Sequence, residues 1–167
     1  MKTFGTVILL ALSLWSAPLF AEYCRVDAEN NKTSCIYKID RIPKNSQIVI
    51  NYTQQGWSMM IVVFRKEFAL IEGDSKVTTK DGGEYPIKYV STRRDMTHGM
   101  MMEAAIYMVD ETVLHELAKA RGKVRFFLAN TVEKEDVEVE VAASQFEDIE
   151  AFIAETRIVL ADLFKDQ

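Results

Sequence analysis

A chain of 167 residues with 49% hydrophobic content has the size and the apolar material of one ordinary domain. Its formal net charge of −5 makes nucleic acid and anionic membrane surfaces poor partners. Two cysteines that are not spaced as CxxC, with only two histidines, leave neither a thioredoxin-like redox pair nor a zinc motif.

In chain order, Met1 to Ala21 comes first. Lys2 supplies a positive start, and Val7 to Trp15 is an apolar stretch too short to span a bilayer. Pro18 then breaks the helix before the small Ala21. These features predict a secretory signal peptide over 1–21, leaving residues 22–167 as a single globular domain in the periplasm or secreted. No stable membrane anchor is expected after cleavage. Lys2 is the leader's only charge, so its removal makes the remainder one unit more acidic.

Ala21-Glu22-Tyr23 precede Cys24, where lipid attachment would require small residues, so Cys24 is left to pair with Cys35. An even cysteine count in an oxidising compartment favours that bridge. The enclosed stretch Arg25 to Ser34 is polar and carries the turn-prone Asn30-Asn31. Closing a loop of this size is worth about 2–3 kcal/mol.

Strand signals follow at Ile36–Ile39 and Gln47–Tyr52, separated by the turn residues Pro43 to Ser46. Trp57 to Phe64 is a continuous apolar run introduced by Gly56, which predicts a central, buried strand. Lys76–Thr79 and Ile87–Val90 read as further strands between turns at Gly73-Asp74 and Asp81-Gly82-Gly83, and Met100–Val109 is another apolar run. Asp110 is placed to cap a helix ending before Gly122, with Val113, Leu114, Leu117 and Ala118 as its apolar stripe. Val124–Leu128 and the alternating Val137, Val139 and Val141 are the last strands. Ser144-Gln145-Phe146-Glu147 has the form of a capping box opening a helix to about Phe164. The expected fold is α+β: an antiparallel, β-sandwich-like sheet core with two peripheral helices at about 110–121 and 144–164.

This order of elements, carried by Val113 to Phe126 and then Val137 to Phe152, resembles the invasion-associated locus B family of exported bacterial proteins. The early pair Cys24 and Cys35 is similar in placement. The chain departs from that pattern at Gln145-Phe146, where the family commonly has Gly-Phe, and at Tyr23, where it has tryptophan. The resemblance implies a periplasmic or surface domain with an accessory role, and it carries over no catalytic residue.

Catalytic chemistry is hard to assemble from the residues themselves. His115 falls within a helix beside Glu116 and reads as a solvated helix histidine. A hydrolytic triad needs a free nucleophile, both cysteines are committed, and no Gly-x-Ser-x-Gly elbow is present. The triplets Asn31-Lys32-Thr33 and Asn51-Tyr52-Thr53 read as chance matches to a glycosylation pattern.

Two surface features invite binding. The acidic residues Glu133, Glu135, Asp136, Glu138 and Glu140 form a ridge suited to a basic protein partner, since rows of carboxylates steer toward basic surfaces. The cluster Met96, His98, Met100 and Met102 offers soft thioether and imidazole ligands of the kind that hold Cu(I). The same methionines also read as gap-filling core residues or as an adaptable contact surface. If Met100 to Met102 lie in a strand, Met101 points away from its neighbours.

The expected function is a non-catalytic, exported protein-binding or accessory domain that needs no cofactor. One alternative is an immunity or inhibitor protein that neutralises a secreted toxin or cell-wall enzyme, and a second is a periplasmic Cu(I) carrier.

Overall fold

Period-two patterning has the expected consequence at Val137, Val139 and Val141: the valines are buried while Glu138 and Glu140 turn away from the core. The computed structural model describes residues 23–27, 32–42, 46–53, 55–132 and 135–165, so the leader Met1–Ala21 and Glu133 lie outside the described residues. The strands are β1 (Cys24–Asp27), β2 (Lys32–Ile42), β3 (Ser46–Thr53), β4 (Gly56–Arg65), β5 (Ser75–Thr79), β6 (Glu84–Thr97), β7 (Met100–Met108), β8 (Lys123–Leu128) and β9 (Val137–Ala142). The helices are α1 (Glu111–Lys119) and α2 (Ile149–Lys165). Among the described residues no helix is long and apolar enough to cross a membrane.

All nine strands join one antiparallel sheet in the order β1-β2-β3-β4-β7-β6-β5-β8-β9. After β4 the chain skips the positions that β7 and β6 will fill and begins β5 beyond them. It then returns by two hairpins. The β6–β7 turn is His98-Gly99, with φ of 50° and 76°. Positive φ at both central residues is what a two-residue hairpin turn matched to the strand twist requires, and glycine adopts it without strain. α1 carries the chain back to β8.

The sheet curls until β9 touches β2, and Ser46 and Val63 to Arg65 share a depression with Glu135 to Val139. Both helices pack inside this curve. Val113, Leu114 and Leu117 of α1 and Ile149, Phe152 and Ile153 of α2 join one core with Ile48, Met59, Ile61, Tyr107 and Phe126. Phe152 stands in ring contact with Tyr23, Tyr37 and Trp57 at 5.5–5.6 Å. The Tyr37 hydroxyl donates to the Gln145 carbonyl at 2.6 Å and ties β2 to the turn before α2.

The α+β class, the antiparallel sheet and the two helices are as the sequence predicts. So is the Cys24–Cys35 disulfide, which joins residues directly opposite one another on β1 and β2. Several boundaries differ. Residues 143–146 form a 3₁₀ turn and α2 begins at Ile149, so Ser144 opens no α-helix. Asp110 is the N-cap of α1 by backbone position, without a capping side-chain hydrogen bond. Residues 24–27 are a strand rather than loop, and β6 runs to Thr97, past the expected Val90.

Candidate functional site

The continuous apolar runs in β4 and β7 leave both faces of the central sheet apolar. Trp57, Met59, Ile61 and Val63 belong to the core, so Met60, Val62 and Phe64 point outward. Directly opposite residues share a face. Val49 of β3 stands opposite Met60, and Met60 in turn stands opposite Ile106 of β7. Val62 stands opposite Ala104, and Phe64 opposite Met102. The result is an outward apolar strip across β3, β4 and β7. Its central members Val62 and Ala104 are only 4% and 6% exposed, whereas Met60, Phe64, Met102 and Ile106 are half-buried.

None of these outward side chains joins the core cluster, and the helices pack on the opposite face. An antiparallel sheet with one wet face ordinarily presents polar residues there. A contiguous apolar strip in that position is the usual mark of an interaction surface. The half-buried methionines add thioethers that re-pack against differently shaped partners.

Two carboxylates of the predicted acidic ridge, Glu138 and Glu140, face cations of the neighbouring strand. Arg125 of β8 lies 3.3 Å from Glu138 and 3.2 Å from Glu140, and Lys123 approaches Glu140 at 2.6 Å. The Lys123 bond is the main reason the Glu140 carboxyl sits below its ordinary pKa. Glu135 and Asp136 border a depression of about 340 Å³ together with Arg65. Glu138 and Glu140 thus meet cations that β9 acquires by pairing with β8.

The soft-ligand set is also divided. Met96 pairs with Met101 on the face that continues to the buried Glu103, whereas Met100 and Met102 lie on the outward face. His98 sits in the hairpin turn, where its Nδ1 lies 3.1 Å from the Thr97 hydroxyl. Met96 and the Met100/Met102 pair are therefore separated by the thickness of the sheet.

His115 is held more tightly than a solvated helix histidine. Its Nδ1 lies 2.7 Å from Glu150 of α2, and its Nε2 lies 3.3 Å from Glu111 one turn earlier on α1. Glu111 also accepts the Trp57 indole N–H at 2.9 Å and pairs with Arg157. Burial alone would raise the Glu111 pKa, but Trp57, His115 and Arg157 together hold it below the ordinary value. The imidazole pKa is raised, first by the Glu150 bond. An imidazole within hydrogen-bond reach of carboxylates at both nitrogens clamps the two helices together, and its raised pKa favours the charged form.

The clamp makes a pH prediction. Because the folded pKa is raised, its contribution is fully present below the unfolded histidine value, near 6.5, and disappears as pH climbs through the folded pKa. Melting temperature recorded from mildly acidic to mildly alkaline pH should therefore fall more steeply in the parent than in His115→Gln. Parallel profiles would remove the assignment.

Comparison of the chain with known protein families, with curated proteins and with solved structures returned no match.

Proposed function

We propose that the chain is a non-catalytic, exported protein-binding domain of the accessory kind suggested by its resemblance to the invasion-associated locus B family. The outward face of β3, β4 and β7 is its binding surface. One observation carries this reading: the three central strands bear a contiguous apolar strip on the side away from the core. The doubly engaged His115 and the bridged cysteines support a non-catalytic role, since the groups most suited to nucleophilic or general-base work are already committed. An inhibitor of a secreted toxin or cell-wall enzyme is the same proposal with a narrower partner, and an adjacent toxin gene would select it.

The test is site-specific photo-crosslinking in the native compartment. A crosslinker at Ile106 should yield a discrete protein adduct, and one at the exposed Arg121, off this face, should yield none. Introducing Met60→Gln beside the Ile106 probe should reduce that adduct at least about tenfold, as expected when a contact near the centre of an interface is spoiled. Equal adducts from both positions, or none from Ile106, would sink the reading.

A further inference from the structure

We propose that the occupant of this face is a protein surface whose own apolar strip is edged by carboxylates; the inference rests on the reading of the face as a docking surface. The edge formed by β6 is cationic. Lys88 stands opposite Met108 and Arg93 opposite Ala104, both exposed. Among the described residues neither meets a carboxylate, unlike the neighbouring Arg94, which pairs with Glu72 and Glu103. Asp95 is the carboxylate on this edge, and it already accepts the Met96 amide at 2.7 Å. A third cation, Lys38 on β2, stands opposite Val49 at the other margin.

A cation-edged apolar strip on a chain of net charge −5 runs against the overall composition. Interactions across more than a Debye length, about 8 Å at physiological salt, are screened, so the local edge decides what can dock there. Carboxylates flanking an apolar strip would find Lys88 and Arg93 without displacing an existing ion pair. The strip spans three strands, about 10 Å between the outer strand centres, which matches the width of a single helix. A lipid surface fits less well. Each apolar side chain of the strip is buried or half-buried, which leaves none projecting far enough to enter the acyl region of a bilayer.

The test uses two amphipathic helical peptides that share one Leu/Met stripe, one flanked by glutamates and the other by lysines. Each is titrated by fluorescence anisotropy against the full domain, against Lys88→Glu/Arg93→Glu, and against Ile106→Glu, with Ile106→Ser used if Ile106→Glu does not fold. Net charge alone favours the lysine peptide, and the cationic edge favours the glutamate peptide. The expected result is that the parent binds the glutamate peptide at least about tenfold more tightly, equivalent to about 1.4 kcal/mol. The double reversal should invert that order, and the Ile106 variant should weaken both peptides.

Equal or tighter binding of the lysine peptide, still sensitive to Ile106, overturns the acidic occupant and leaves the docking face standing. Binding of neither peptide, or binding indifferent to Ile106, overturns both. Sedimentation that shows a dimer abolished by Ile106→Glu would assign the face to a second copy. Ile106-dependent binding to phosphatidylglycerol vesicles would assign it to a membrane. Either of these also overturns the proposal.

Discussion

Glu103→Ala should lower the unfolding free energy by about 3 kcal/mol, near the lower end of what breaking a buried ion pair costs. Glu103 is 2% exposed on the core side of β7. Its carboxylate accepts the Ala69 amide at 2.5 Å, the Ile71 amide at 3.2 Å and the Arg94 Nε at 2.9 Å. One side chain therefore satisfies two backbone donors of the 66–74 connection and half of a guanidinium. Truncation leaves all three unpaired in a place that water reaches poorly, and each orphaned donor carries its own desolvation cost. Arg94 keeps a second carboxylate, Glu72 at 2.8 Å, which is also the largest reason its pKa is raised. That retained partner is why the expected loss lies near the bottom of the range.

Glu103→Gln keeps an acceptor oxygen and should lose less than the alanine variant. Urea unfolding checks the totals, and hydrogen exchange at Ala69 and Ile71 checks the cause. Unchanged protection of those two amides in Glu103→Ala would refute the pinning role even if stability fell.

Phe152→Ala should cost about 3–5 kcal/mol, the range for removing a large aromatic from a packed core. Phe152 is 0% exposed and is the ring at which the two halves of the chain meet. Tyr23 and Tyr37 approach it from the disulfide-stapled amino-terminal hairpin, and Trp57 approaches it from β4. Truncation opens a cavity beneath α2 that a β-sheet floor cannot collapse to fill. The near-ultraviolet dichroism of Trp57 should change along with the unfolding midpoint. Ile158→Ala, on the same helix but 60% exposed, is the control and should shift stability by no more than about 0.5 kcal/mol. Similar losses from the two variants would mean that α2 is held by something other than this aromatic contact.

Where the sequence carried a phase, the fold was legible. β9 alternates from Val137 to Val141, and its buried residues are the ones alternation selects. The disulfide partners follow from there being two cysteines and one short polar loop between them. Phase was lost at β6. An irregularity between Tyr89 and Ser91 inserts one extra residue, so Ile87 and Tyr89 face the core before it while Thr92 and Arg94 share the inward faces of Ala105 and Glu103 after it. Periodicity read across Val90 breaks down, and the strand is stopped too early. The 3₁₀ turn at 143–146 was hidden for a different reason. A capping-box spelling describes local hydrogen-bonding capacity, while Phe146 and Ala143 are pulled into the core by packing that the local sequence does not encode.

The candidate site was legible only in fragments. The methionines stood out as an oddity, but a run such as Met100-Met101-Met102 or Trp57 to Phe64 is apolar on every residue and has no phase to say which side is covered. Glu138 and Glu140 were rightly placed on an outward face, but their neutralisation by Lys123 and Arg125 depends on which strand lies beside β9.

The amino-acid sequence by itself determined the α+β class, the antiparallel strands, the two helices and the cysteine bridge, because each depends on local periodicity or on a count. Only the tertiary structure decided that the central strands turn one side toward the core and the helices and an apolar strip away from them, that Glu138 and Glu140 are paired with cations, and that Glu103 and His115 hold distant segments together. Those are properties of neighbours far apart in the chain, and no local pattern specifies which residues the fold will set opposite one another.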